Sequence, residues 1–235
     1  MFVNYAHRGA SQYYPENTMS SFFGCLSMGP KGIETDIHMT KDGKLVLFHD
    51  DTLDRVTDGS GDISQYTYDE LHKLTVFGGE NGQLRDKIVL FEDFLRYFAH
   101  RDLMFAIELK QERVEKETID LLEKYGMREK TILTSFIFDN LVRAREYNPN
   151  YRIGYLVEEV NDEVLKNLTE LRGEQLCPHS RQVTEENVKY WHSLGFNVRA
   201  WGVGDPEIMK KTADAGVDGM TVNFPDLLTK YLAEK

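Results

Sequence analysis

Short apolar runs alternate with amphipathic stretches along this chain. The runs predict strands at Val3–His7, Gly32–Met39, Leu103–Leu109, Thr131–Ser135, Arg152–Val157, Gln175–Pro178, Asn197–Trp201 and Asp218–Val222. Between and after them, three- and four-residue spacing predicts helices at Asn17–Met28, Phe91–Phe98, Val114–Tyr125, Asp139–Tyr147, Asp162–Leu171, Glu185–Leu194, Pro206–Ala215 and Pro225–Ala233. The punctuation agrees: Thr184 and Asp205-Pro206 read as helix starts, and Gly126, Gly195 and Gly216 as helix stops. Strands each followed by a helix, in this number, close a parallel barrel. A doubly wound open sheet fits the same alternation, but the placement of polar residues described below favours the barrel. The expected architecture is α/β, a single (β/α)8 barrel domain over residues 1–235.

One segment breaks the alternation. Thr40-Lys41-Asp42-Gly43-Lys44 is followed by a further apolar run, Leu45–Phe48, and Asp-Gly between two such runs signals a β-hairpin. Residues 51–90 then separate the hairpin from the next helix, too long a stretch for an ordinary connection. They read as an insertion over one end of the barrel, and its Tyr66, Tyr68 and Phe77 suit a lid, a dimer contact or, as the commonest case, a small satellite core.

Composition narrows the class. The 235 residues are 41% apolar and 29% charged, a globular profile. No run approaches the roughly 20 apolar residues of a membrane span, and the N-terminus lacks the basic start and apolar core of a signal peptide. Cys25 and Cys177 fit no redox or metal-type spacing, so free thiols in a reducing, cytoplasmic setting are expected. A net charge of −11 argues against nucleic-acid or membrane-surface partners. An anionic small molecule would need local cations or a bound metal ion.

The chemistry-bearing residues cluster at strand ends. His7-Arg8 follows the first strand, Glu34-Thr35-Asp36 lies in the second, Glu108-Leu109-Lys110 ends the third, and Trp201 ends the seventh. Barrel enzymes build their sites at that face. Residues two apart in a strand share a face, so Glu34 and Asp36 project together, as do Glu108 and Lys110. One such pair is ordinarily a solvated strand end. Two pairs on neighbouring strands bring carboxylates together and call for a hard cation between them, Mg²⁺ or Ca²⁺. With a two-residue loop at Asp42-Gly43, hairpin partners have numbers summing to 85, which sets His49 opposite Asp36. Histidine moves protons near neutrality, and Arg8 and Lys110 suit a phosphate. Two histidines, three acids and two cations point to phosphoryl transfer.

HRGAS (7–11), PENT (15–18), ETDIHMTKDGKLVLFHDDTLDRVTDGSG (34–61) and IELK (107–110) resemble the signature blocks of glycerophosphodiester phosphodiesterases. The likeness extends through TSF (134–136), the CPH around Cys177 and the closing GVDGMTVNFPDLL. It implies that His7 and His49 are the acid–base pair, that Glu34, Asp36 and Glu108 hold one divalent metal ion, that Arg8 and Lys110 contact phosphate, and that Trp201 lines the pocket. Asn17 or Thr18 is expected to cap the first helix, and Glu16 to order its loop. The chain departs from the family pattern at Trp201-Gly202-Val203-Gly204, where W-T-V-N is usual, and at Asn223, where Asp is common. LFEDFL stands where Pro-Thr is usual before the second helix.

The implied reaction is hydrolysis of a glycerophosphodiester to sn-glycerol 3-phosphate and an alcohol. The rivals are a phospholipase D-like lyase of the same superfamily, whose relatives are secreted and disulfide-bonded, and a barrel that binds a phosphorylated polyol without turnover. Two histidines beside a full set of acids argue against the second.

Overall fold

The computed structural model describes residues 2–79 and 81–235. In chain order its strands are β1 (Val3–His7), β2 (Gly32–Met39), β3 (Leu45–Leu47), β4 (Val76–Gly78), β5 (Leu84–Asp86), β6 (Val89–Leu90), β7 (Met104–Leu109), β8 (Thr131–Ser135), β9 (Arg152–Val157), β10 (Gln175–Pro178), β11 (Asn197–Val203) and β12 (Gly219–Val222). The α-helices are α1 (Met19–Leu26), α2 (Tyr68–Leu71), α3 (Phe91–Phe98), α4 (Glu115–Lys124), α5 (Phe138–Tyr147), α6 (Asp162–Glu170), α7 (Glu185–Ser193), α8 (Pro206–Asp214) and α9 (Pro225–Ala233).

The sheet runs β1-β12-β11-β10-β9-β8-β7-β2, and pairing of β1 with β2 closes it into the expected parallel barrel. Register places the chemistry. His7 lies beside Glu34 across the β1–β2 seam, and Asp36 lies beside Glu108 across β2–β7. The open-sheet alternative is therefore excluded.

Apolar side chains of the strands pack under the helices. Phe22 of α1 and Phe94 and Phe98 of α3 are fully buried over β2 and β7, with the Phe22 and Phe94 rings edge-on at 4.7 Å. Each such ring withdrawn from water contributes about 1.5–3 kcal/mol. The barrel interior is more polar. Arg199 of β11 is 1% exposed and donates from Nε to Gln175 (2.9 Å) and from Nη1 to Thr221 (2.6 Å).

The helix ends follow the sequence. Thr184 and Asp205 cap α7 and α8, and Gly126, Gly195 and Gly216 all take positive φ. Strand β11 runs two residues beyond its expected end and carries an irregular register between Ala200 and Val203. Gly202 makes this possible: its φ is +70°, and a Cβ there would meet the His179 ring at 2.6 Å.

The hairpin forms, but in a different register. Ile37, His38 and Met39 oppose Leu47, Val46 and Leu45, so the paired numbers sum to 84, not 85. The loop is the three residues Lys41-Asp42-Gly43, closed by Thr40 N–H to Lys44 O at 2.8 Å, with Gly43 at φ +75°. The insertion after it wraps its own core of Phe48, Leu53, Ile63, Leu71, Val76 and Ile88. Tyr66 and Tyr68 pack against that core as expected, whereas Phe77 lies under the Arg85 guanidinium, 4.4 Å away.

Candidate active site

The turn after β1 is held in a strained form. Arg8 (φ 54°) and Asn17 (φ 56°) both adopt the left-handed conformation, which costs a non-glycine residue on the order of 1 kcal/mol. The surroundings hold it in place. Arg8 N–H donates to the Glu34 carbonyl (2.9 Å), and Arg8 O accepts from Asn17 N–H (3.0 Å) and the Ser21 hydroxyl (2.8 Å). This turn carries Arg8 over the β2 carboxylates. Thr18 is the cap of α1. Asn17 instead donates to Asp36 Oδ2 at 2.8 Å and accepts from the Thr35 hydroxyl at 2.7 Å.

Glu34, Asp36 and Glu108 are all buried, and each offers an oxygen within 4.8 Å of the others. Arg8 Nε stands 3.3 Å from Asp36 Oδ2, while Lys110 Nζ reaches Glu108 at 2.7 Å and Asp36 Oδ1 at 3.4 Å. Among the described residues, buried Asp36 Oδ1 accepts no well-formed hydrogen bond, only the long ion pair with Lys110. A poorly satisfied buried acceptor is costly, and an all-oxygen cluster is what a hard divalent cation requires. The residues therefore fit such an ion.

Electrostatics agrees. Burial, reinforced by Asp36 and Glu108, pushes the Glu34 carboxyl up to about 8. Burial likewise raises Glu108 to about 7, against the pull of Lys110. Asp36 is equally buried, yet Lys110, Arg8 and His49 hold it well below the carboxylate range. Without a cation the cluster keeps one firm carboxylate and two reluctant ones.

The two histidines flank the cluster. His7 Nδ1 pairs with Asn223 Oδ1 at 2.5 Å, leaving Nε2 facing Glu34 at 3.8 Å. Burial, with Arg8 nearby, pushes His7 down to about 3. His49 Nδ1 pairs with the Asp50 carboxylate at 2.6 Å. Burial, with Arg8 and Lys110 nearby, lowers its pKa too, although Asp36 and Asp50 oppose that shift. The expected route to His49, direct opposition to Asp36, does not operate, because Phe48 takes that position by bonding to Asp36 O. The chain bends at His49-Asp50, just beyond β3, and the bend carries the imidazole to the site.

His7, Arg8, Glu34, His49, Glu108, Lys110 and Trp201 line one cavity of about 390 Å³, with Asp36 buried beneath it. All eight residues singled out by sequence thus converge. Trp201 donates Nε1–H to Val157 O at 3.2 Å and stands edge-on to Phe136 (4.8 Å) and His179 (4.6 Å). Phe136, Asn223 and Arg199 also line the cavity and were not assigned to it from sequence. Asn223 carried a signal, as a departure from the family pattern.

Comparison with known proteins agrees with this geometry. Residues 7–227 match the model of the glycerophosphoryl diester phosphodiesterase family. The chain belongs to that family. It is 30% identical to the glycerophosphodiester phosphodiesterase of Caldanaerobacter subterraneus subsp. tengcongensis, over 95% of this chain and 94% of that one. It is 32% identical to the uncharacterised protein YqiK of Bacillus subtilis, over 97% of each. Among solved structures, an Oleispira antarctica phosphodiesterase in complex with the product sn-glycerol-3-phosphate superposes with a TM-score of 0.89 at 27% identity, over 98% of this chain and 96% of that one. Within the family's barrel, the departures at Gly202, Gly204 and Asn223 all fall on the cavity wall and leave the acidic cluster intact.

Proposed function

We propose that this protein is a metal-dependent glycerophosphodiester phosphodiesterase, releasing sn-glycerol 3-phosphate and an alcohol, and that the ion is Mg²⁺ or Ca²⁺. The observation that carries the reading is the pair of histidines on either side of three buried carboxylates, in a cavity that also holds Arg8 and Lys110. The naming of the relatives and the product held by the Oleispira protein support the substrate class.

Glu34, Asp36 and Glu108 would hold the ion. When bound, a divalent cation neutralises charge on a phosphate oxygen and lowers the pKa of a nearby hydroxyl. Arg8 and Lys110 then orient the phosphate's remaining oxygens.

The partners of the histidines separate their roles. His7 is held on Nδ1 by a neutral amide, and burial and the Arg8 guanidinium outweigh the nearby carboxyls, so it stays unprotonated and takes a proton on Nε2 from the attacking hydroxyl, the substrate's own 2-hydroxyl by family likeness. His49 Nδ1 is held by the Asp50 carboxylate, which favours its imidazolium against the lowering by burial, Arg8 and Lys110, so of the two it is the one assigned to pass a proton to the leaving alkoxide as the phosphorus–oxygen bond breaks. The two roles reverse as water opens the cyclic phosphate.

Trp201 and Phe136 wall the pocket. The buried, unpaired thiols of Cys25 and Cys177 support a reducing, cytoplasmic setting. Among the described residues no helix is long and apolar enough to cross a membrane. The experiment is phosphorus NMR of the products from glycerophosphocholine: sn-glycerol 3-phosphate accumulates if the reading holds, whereas a terminal cyclic phosphate would make the protein a lyase.

A further inference from the structure

Arg55 has no part in the chemistry described above, yet it joins both sides of the cavity. It lies in the insertion, and its guanidinium makes four hydrogen bonds to two carboxylates. Nη1 and Nη2 donate to Glu16 Oε2 and Oε1 at 3.0 and 2.7 Å. Nε and Nη2 donate to Asp50 Oδ2 and Oδ1 at 2.6 and 3.1 Å. Each carboxylate continues inward. Glu16 Oε1 also accepts from Arg8 Nη1 at 2.9 Å, and Asp50 Oδ1 lies 2.6 Å from His49 Nδ1.

We propose that Arg55 is a positioning residue that fixes His49 through Asp50 and Arg8 through Glu16, so that the insertion sets the geometry of the catalytic cavity. The inference rests on the roles given above to His49 and Arg8. Three features support it. His49 and Asp50 occupy a bend outside the sheet, so no strand pairing holds them. The platform under Arg55 is firm: Leu53 is fully buried, and Val56 O accepts from Phe77 N–H at 2.7 Å. Finally, the Arg55 side chain is 48% exposed. Exposed ion pairs contribute little to stability, so the network's main consequence is orientation. A planar fork can serve two carboxylates at once, which a lysine ammonium cannot do with the same geometry.

The test uses the metal-loaded protein. Arg55→Ala should fold and melt within a few degrees of wild type. Its kcat should fall roughly 10- to 100-fold, the usual loss when a group orienting a functional side chain is removed. Combined with Asp50→Asn, it should lose less than the product of the two single losses, because both changes cut the same chain of contacts. Long-range proton–nitrogen spectra at one fixed pH at which the His49 imidazole is neutral should show a single Nδ1–H tautomer in wild type, its hydrogen donated to Asp50, and a mixture in Arg55→Ala. A kcat within about twofold of wild type, strictly multiplicative losses, or an unchanged His49 tautomer would overturn the proposal. Absence of turnover in the wild-type protein would contradict the hydrolase reading instead, and the tautomer spectrum would still decide the role of Arg55.

Discussion

His7 Nδ1 stands 2.5 Å from Asn223 Oδ1, tying the end of β1 to the loop after β12. The Ser11 hydroxyl donates to the same amide oxygen at 3.1 Å. An oxygen that accepts from both sides requires the hydrogen of His7 on Nδ1, and Nε2 is then free to accept a proton.

Replacing that amide with a carboxylate makes a clear prediction. In Asn223→Asp the new charge favours imidazolium, so the pKa of His7 rises from about 3 towards neutrality. The acid limb of the kcat/KM profile should therefore move to higher pH. An unchanged profile would show that His7 is not the base.

The acidic cluster predicts proton release on metal binding. With Glu34 raised to about 8 and Glu108 to about 7, the metal-free protein carries protons there at pH 7. Binding must displace them. Calorimetry in buffers of different ionisation enthalpy should detect the release, and affinity should increase as pH rises from 6 to about 8. Binding without proton exchange would contradict the cluster's assignment.

The same shifts affect stability. A carboxyl whose pKa is raised on folding stabilises the fold fully only below its unfolded pKa, and that contribution is lost as pH rises through its folded value. In chelator, the melting temperature should fall as pH rises from about 6.5, where the opposing contribution of the lowered histidines His7 and His49 is complete, through 8, the value to which Glu34 is raised. Glu34→Gln, which cannot ionise, should flatten that decline while abolishing metal-dependent turnover. An equally steep decline in the variant would place the pH sensitivity elsewhere.

Much of this was legible from sequence, and the exceptions share a cause. The barrel strands are bounded by turn residues and buried on both faces, so their apolar runs mark them closely. Glu34, Asp36 and Glu108 stand out because carboxylates are unfavourable within such runs. The hairpin register was wrong by one residue because Asp-Gly suits both a two-residue loop and the last two positions of the three-residue loop found here. His49 reaches the cavity through a bend that follows β3, so its arrival did not depend on that register. Asn17 looks like a possible cap in sequence, since its contact with Asp36 depends on a left-handed turn that sequence does not reveal. Arg55, set in an acidic loop, reads as a surface charge. Its partner Glu16 lies 39 positions away, and only the folded insertion brings them together.

Trp201 should act on binding more than on chemistry, since it forms a wall with Phe136 and donates its N–H to Val157 O rather than towards the carboxylates. An aromatic contact of about 1 kcal/mol corresponds to roughly a fivefold rise in KM for Trp201→Ala. Steady-state kinetics would check this. A large fall in kcat at constant KM would move Trp201 into the catalytic machinery.

The central claim is that a divalent ion held by Glu34, Asp36 and Glu108 works with His7 and His49 on a glycerophosphodiester. The most direct measurement is release of sn-glycerol 3-phosphate by chelator-treated protein, before and after Mg²⁺ or Ca²⁺ is restored. The account predicts turnover only with metal. It also predicts no metal-dependent turnover in Glu34→Ala, and a loss on the order of 10²–10⁴ in His49→Ala. Full activity in chelator, or near-normal turnover in either variant, would contradict it.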